Sequence, residues 1–489
     1  MKGASLIGME ETMKKVVRGK TYDDSNVENI LLYAKTIEGK TLREVLGIPE
    51  DVKPKGYARA KTSGKQGNKG AMGDNVEVYF FDIENNNNQA PDFERTELEL
   101  KTTGLIRNKR GDIRAKERLA VTNINYMTIL NETFEHSHLR DKTRRVLLMA
   151  YDYRDDTDNI FDMKFEFAAL WGIPEADLPQ IREDWEKVIA KIRAGKAHEL
   201  SSRDTLYLEA AATGSGHGVM VPQPNSSVPA KPRRWALKSS YMTNVVNALL
   251  SKKKVEAIQR DEDERNLTLE ELIRSRFKEY IGQTAPEILR NLNKACSSEA
   301  KQAHATSTMA LLKAAFGINR DAFIAEFEKA GLQKSTIRTL RVEKSGRIKE
   351  SVSFPAFKWE KIAETPWEDS DLHKTLLSPF LFVVYRDNGD GQYRLDDVVL
   401  WTCPDDAFAE AEKVYEDTRR KVQRGIYDQF APITGLDGAG SIFHVRPHAR
   451  DHTDTYPTPQ GGEEMKRSFW ITNHYIVNDI LPRRTAGNN

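Results

Sequence analysis

The sequence predicts a mixed α/β (α+β) protein with mixed sheets, built as two tandem domains of one plan that form a pseudo-dimer within a single chain. Three observations carry this reading. The chain has 489 residues, more than one ordinary hydrophobic core organises. It also repeats itself: "LWGIP" (Leu170 to Pro174) returns as "LWTCP" (Leu400 to Pro404), and at the same offset of 230 positions Trp185, Glu186, Lys191, Ile192 and Gly195 meet Tyr415, Glu416, Lys421, Val422 and Gly425. Finally, each copy shows the same local order of an apolar strand ("RRVLLMAYDY", "FLFVVYRD"), a second strand ending in LWxxP, and an amphipathic helix closed by glycine.

Each element has its own reason. Ile181, Trp185, Val188, Ile189 and Ile192 recur at helical spacing, and Gly195 supplies the left-handed residue that ends the helix. Outside this block the repeat continues with shifting offsets, "IEGKTLREV" against "YIGQTAPEI" and "RWALKSSY" against "SFWITNHY", the latter pair each opening a helix. Trp185, Trp235 and Phe469 are read as core. The charged, glycine-free stretch "SKKKVEAIQRDEDERN" marks the junction, giving domains 1–255 and 256–489.

Composition bounds the function. With 39% hydrophobic and 30% charged residues the chain is expected to be folded and soluble, and a net charge of +1 means that any nucleic-acid surface must be local. Cys296 and Cys403 are too few for a disulfide framework, the start has no secretory apolar run, and no window reaches a membrane span, so a cytoplasmic location is expected.

The two halves differ where chemistry is expected. "PDFERTELELKTTG" (Pro91 to Gly104) reads as a turn followed by a strand, with Leu98 and Leu100 on one face and Glu97, Glu99 and Lys101 on the other. Asp92 precedes the strand. Two carboxylates and an ammonium in this order suit a hard divalent cation such as Mg²⁺, which prefers oxygen ligands, and a lysine that orients a water or stabilises a phosphodiester transition state. The bland alternative is a solvated strand face. Aligning Thr96 with Thr336 puts Thr339 at Glu99, Arg341 at Lys101 and Leu332 at Asp92, so the second half has no such set. Upstream, "KGAMGDNVE" (Lys69 to Glu77) reads as a glycine-rich turn in which Glu77 can add a third acid.

Together KGxxGxxxE, PDF and ELKT (Lys69, Gly70, Gly73, Glu77, Pro91, Asp92, Phe93, Glu99, Leu100, Lys101, Thr102) resemble the MutH family, and the likeness extends over nearly the whole chain, through "EDWEKVIAKIRAGKAHELS" and "LKSSYMT". The larger relatives in that family are type II restriction endonucleases that cut at GATC. The resemblance implies two restriction-endonuclease-like domains of the PD-(D/E)xK type. Asp92, Glu99 and Lys101 would be catalytic with Glu77, and Asp92, Glu99 and Glu77 would be metal ligands for Mg²⁺. It further implies a bacterial restriction-modification enzyme acting on double-stranded GATC DNA, a C-terminal domain that binds a second DNA site as effector, and a transient dimer on DNA. A strand-nicking repair endonuclease and an inactive DNA-binding protein are the alternatives.

The likeness has departures. MutH carries an Arg-Pro-Lys segment and a Tyr before Leu-Lys that read DNA, whereas here Ala211 and Ala236 occupy those places and Arg446, in "HVRPH", holds the first of them in the second half. Expected DNA contacts are Lys69, Lys109, Arg110, Arg114, Lys116 and Lys238 in the first half, and Arg446 and His448 in the second. A zinc reading of His444, His448 and His452 is disfavoured because Pro447 breaks the helix it needs.

Overall fold

The computed structural model describes residues 22–52, 71–83, 90–108, 111–154, 159–213, 218–251, 255–291, 303–318, 322–348, 351–435 and 440–482. The chain divides into two compact units, Met1–Lys254 and Val255–Asn489.

In the first unit, β1 (Glu99–Arg107) pairs antiparallel with β2 (Ile113–Ala115) and parallel with β4 (Val146–Asp152), and β4 pairs antiparallel with β5 (Phe165–Trp171), giving the order β2-β1-β4-β5. A parallel pair needs a long crossover. Here the crossover contains β3 (Leu119–Ile124) and the helix His138–Arg144. A second sheet runs β3-β9-β6, from β6 (Leu208–Ala212) and β9 (Arg233–Leu237), with a hairpin of β7 (Val221–Gln223) and β8 (Ser226–Ala230) inserted between them. Leu98, Leu100, Leu147 and Met149 pack against Tyr22, Phe80, Phe81 and Phe93. On the helix Leu178–Arg193, the five apolar residues at helical spacing are all buried, and Gly195 takes φ 72° at its end.

The second unit opens with a short parallel pair, β10 (Val255–Glu256) with β11 (Phe323–Ile324). Its main sheet is β12 (Ile337–Val342), β14 (Phe380–Asp387) and β15 (Tyr393–Trp401), again one parallel and one antiparallel pairing. β13 (Val352–Ser353), β19 (Arg467–Ile471) and β16 (Phe443–Pro447) form another sheet, and β17 (Thr455–Pro457) with β18 (Glu463–Met465) form the hairpin between β16 and β19. The helix Asp405–Gln423 lays Val414, Tyr415 and Val422 on Phe382, Val384 and Trp401. Trp185, Trp235 and Phe469 are buried, as read from the sequence.

Pairing registers correct one alignment. Val146 pairs with Trp171 and Phe380 with Trp401, and the two ladders carry a bulge at the same place, Ala150/Tyr151 and Val384/Tyr385. Since Leu100 lies beside Leu147 and Ile337 beside Leu381, the counterpart of Glu99 is Thr336 and that of Lys101 is Arg338. The Thr96/Thr336 alignment, which gave Thr339 and Arg341, is off by three residues. The short stretch has no anchor of its own, whereas hydrogen-bonded neighbours fix its position. No acid stands at either counterpart.

Candidate active site

Asp92 reaches the strand because the chain between them folds back. Phe93 and Leu98 form an antiparallel bridge, with Phe93 N–H donating to Leu98 O at 3.0 Å, and the residues between make a 3₁₀ turn, Glu94–Thr96. Glu97 closes that turn at φ 51°, ψ 36°, an uncommon conformation outside glycine, and is exposed. It therefore does not share a strand face with Glu99, as the alternation had implied. The fold-back lets Asp92 Oδ2 accept the Leu100 N–H at 2.8 Å.

Glu99 is 3% exposed. Its backbone N–H donates to Arg145 O at 3.0 Å, and each carboxylate oxygen accepts from an ammonium: Lys101 Nζ on Oε1 at 2.5 Å and Lys142 Nζ on Oε2 at 2.8 Å. Lys142 lies on the helix His138–Arg144, capped by Ser137, whose Oγ accepts the Arg140 N–H, and it also donates to Ala90 O at 2.7 Å. Burial, and next the neighbouring Glu99, push the Asp92 carboxyl above the usual aspartate range, while Lys101, the Leu100 N–H and Lys142 pull it back. The site is a pair of crowded carboxylates balanced by two ammoniums. A donor set made only of oxygens, with one carboxyl destabilised by the other, fits a hard divalent cation.

Glu77 is not in a turn. Ala71–Asn75 is α-helical and Val76–Phe80, with Glu77, continues it as a π-helix; Gly73 lies so close to β1 that a Cβ there would sit 3.3 Å from Thr102 Oγ1. A single π turn inside a helix is frequent at functional sites. Among the described residues no group of three His, Cys, Asp or Glu side chains gathers as a metal cluster.

The expected DNA contacts fall into three groups. Lys69, Lys109 and Arg110 lie outside the described residues. Arg114 is exposed on β2 opposite Ile106, and Lys116 rests its ammonium 3.1 Å from the centre of the Tyr153 ring. Lys238 turns its ammonium inward, donating to Ser202 O at 2.7 Å and to Thr205 O, and burial lowers its pKa. That placement makes it a loop anchor rather than the surface cation expected from the sequence. In the second unit Arg446 lies over the Trp470 ring at 3.8 Å, and His448 Nδ1 is 2.8 Å from Ser468 Oγ. Arg446 and Ala211 hold equal places in β16 and β6, paired with Ser468 and Arg234. Trp470 likewise stands where Ala236 stands. His444 lies on a strand, which removes the helix that its zinc reading required.

Lys142 was not found by sequence reasoning. It lies 43 residues from Glu99, and nothing in its local pattern separates it from Arg140, Arg144 or Arg145. Only the crossover connection brings it back beside β1.

No described helix is long and apolar enough to cross a membrane. The family described as "DNA mismatch repair enzyme MutH" matches residues 81–184, the segment that holds Asp92, Glu99, Lys101 and Lys142. Over 84% of this chain and 93% of the relative, the sequence is 29% identical to "Type II restriction enzyme Sau3AI" of Staphylococcus aureus. A mixed α/β fold, a family match that contains the paired carboxylates and a likeness running through both units support reading the chain as similar to the MutH-like type II restriction endonucleases.

Proposed function

We propose that this endonuclease hydrolyses double-stranded DNA at GATC with Mg²⁺, leaving 5′-phosphates, and that it serves a restriction-modification system in the bacterial cytoplasm. Residues 1–255 form the catalytic domain in this reading. Residues 256–489 repeat its plan without its acids, completing a tandem pseudo-dimer, and bind a second DNA site as effector. The observation that carries it is the buried Glu99 carboxylate held between Lys101 and Lys142 beside Asp92, with Thr336 and Arg338 at the counterparts of Glu99 and Lys101. The 29% identical relative, a type II restriction enzyme, spans both units and supports the same reading.

Asp92 and Glu99 are the residues that would hold the cation, and Glu77, on the helix beside β1 but not gathered with them into a cluster, is the proposed further ligand. When bound, Mg²⁺ neutralises charge on the phosphodiester and lowers the pKa of a coordinated water. The remaining work belongs to the chain. Lys101 and Lys142 present two ammoniums at the edge of a buried acid, where charge interactions are strong because water is scarce. Lys101 and Lys142, whose ammoniums flank Glu99, would be the groups that face the phosphate. Lys101 then orients the attacking water, and Lys142 steadies the negative charge that grows on the phosphorus-bound oxygens. Water adds to phosphorus, the bond to the 3′ oxygen breaks, and the products are a 5′-phosphate and a 3′-hydroxyl.

One such site cuts one strand, so a double-strand break needs a second chain, meeting the first transiently on DNA, or a second binding event. In the effector domain Arg446, fixed on Trp470, and His448 are the proposed DNA contacts, Arg446 through bidentate bonds to guanine or phosphate. The test is a digest of unmethylated duplex with Mg²⁺, its ends mapped to single nucleotides. Breaks at GATC with 5′-phosphates are expected, and breaks at unrelated sequences contradict the assignment. Nicks without linear product favour a strand-nicking enzyme, and intact DNA favours a binding protein.

A further inference from the structure

An open groove of about 560 Å³ in the first unit is lined by Arg144, Arg145, Leu170, Trp171 and Gly172, with Glu28 as its one acid. It borders the candidate active site directly. Arg145 O accepts the Glu99 N–H at 3.0 Å, and the Arg145 guanidinium donates to Thr96 O at 2.9 Å, so the wall of the groove and the start of β1 are held as one piece. Arg144 is exposed, and among the described residues it has no carboxylate partner. One helical turn earlier on the same face lies Arg140, whose pKa is lowered by burial and then by the neighbouring charges of Arg144 and Arg182. Of these arginines, Arg182 pairs with Glu135. The result is a local excess of positive charge in a protein whose net charge is only +1.

The second unit does not keep this groove's charge. Arg144 and Arg145 immediately precede β4, and the residues that immediately precede β14 are Ser378 and Pro379. Arg182 lies 11 residues beyond Trp171, and the residue equally far beyond Trp401 is Glu412. At the same ladder offset Lys374 stands at the place of Arg140, so the second unit keeps that cation and loses Arg144 and Arg145 at the groove itself, although the strands that frame the groove occur in both units.

We infer that this groove holds the sugar-phosphate backbone of the substrate DNA beside the phosphate that is cut, with Arg144 donating to a flanking phosphate, Arg140 adding charge behind it, and Leu170 and Trp171 forming the apolar floor. The inference rests on the endonuclease reading and assigns residues that it does not need. Arg144 acts here by binding: among the described residues no carboxylate holds its donors from phosphate oxygens, and its neighbour Arg145 ties that contact to the strand bearing Glu99.

The test uses the full chain with Arg144→Ala, Arg144→Glu and Arg144→Lys, and a short GATC duplex. Affinity is measured across salt concentrations with Ca²⁺ replacing Mg²⁺, and single-turnover cleavage is measured at saturating DNA. Losing one charge-assisted phosphate contact is expected to weaken binding roughly tenfold in Arg144→Ala and further in Arg144→Glu. The slope of log affinity against log salt should fall by about 0.9, with Arg144→Lys keeping most of it. The saturated cleavage rate should stay within about twofold of the parent, because the lost contact is equally present before and during reaction. A duplex with an uncharged methylphosphonate at the flanking phosphate should bind parent and Arg144→Ala alike. Unchanged affinity and slope in a variant that melts like the parent overturn the inference, as does a loss confined to the saturated rate. If the parent itself neither binds nor cuts DNA, the endonuclease reading fails first and takes this inference with it.

Discussion

Lys142 Nζ stands 2.8 Å from Glu99 Oε2 and 2.7 Å from Ala90 O, bridging the helix His138–Arg144 to the loop that carries Asp92. It opposes Lys101 across one buried carboxylate. Removing an electrostatic group of this kind from a preorganised site typically costs about two to three orders of magnitude in rate. Lys142→Ala is therefore expected to lower single-turnover cleavage roughly a hundredfold or more, with DNA affinity largely kept and Lys142→Arg recovering part of the rate. A Lys142→Ala enzyme that cuts at the parental rate assigns Lys142 to the fold alone.

The crowding at Asp92 gives a pH dependence with a defined sign. Its carboxyl is raised above the ordinary value, so between the two values the folded state holds more protons than the unfolded state, and stability falls as pH rises through that window. In metal-free buffer Asp92→Asn is expected to remove that part of the fall and to melt higher than the parent at neutral pH, while cleavage is lost. Parental cleavage should also decline as pH drops through the raised value, because a protonated Asp92 cannot hold a cation. Denaturant curves with EDTA at several pH values test this, and equal pH dependence in parent and Asp92→Asn contradicts it.

His444 has the opposite sign. It is 1% exposed, neither ring nitrogen has a hydrogen-bond partner among the described residues, and burial followed by the Arg446 charge lowers its pKa from 6.5 to about 4. The folded state then binds fewer protons than the unfolded one, so the second unit should lose stability as pH falls from about 6.5 to about 4. Hydrogen-exchange protection on β16, corrected for the intrinsic exchange rate at each pH, is expected to fall toward acid, and His444→Leu should flatten the response.

Lys238 separates a structural from a DNA-binding role. Its ammonium is bonded to Ser202 O and Thr205 O, so Lys238→Met is expected to cost about 2 kcal/mol of stability, the size of losing hydrogen bonds to a charged group. The salt slope of DNA binding should not move. A slope reduced by about one unit, with unchanged melting, would restore the surface role.

An effector domain makes a prediction about substrate geometry. Plasmids carrying two GATC sites should be linearised faster than plasmids carrying one, and Arg446→Ala should reduce that advantage without changing the slow one-site rate. Equal rates on both plasmids leave the second domain without an effector role.

Several features of this fold were legible in the residues, each for a local reason. The helix Leu178–Arg193 announces itself because its buried residues follow a 3.6 period and end at Gly195, and β4 and β14 because their apolar runs are buried on both faces. Glu99 and Lys101 were visible through spacing along one strand, which translates directly into proximity, and Asp92 through its place ahead of that strand, although the fold-back at Glu94–Thr96 is what brings it to the Leu100 N–H. Three things were not. Glu97 adopts a left-handed conformation that alternation cannot signal. The helix bearing Glu77 begins in a glycine-containing stretch that local propensity assigns to a turn, and packing of Gly73 against Thr102 supports the helix there. Lys142 depends on a parallel crossover, a long-range relationship with no local pattern.

The most direct test that Asp92, Glu99 and Lys101 cut DNA is a paired digest of unmethylated plasmid with Mg²⁺, using the parent chain and Lys101→Ala. Linear product from the parent at GATC and intact plasmid from a Lys101→Ala protein that still binds DNA and melts normally is the expected result. Equal cleavage by both proteins would place the chemistry elsewhere in the chain.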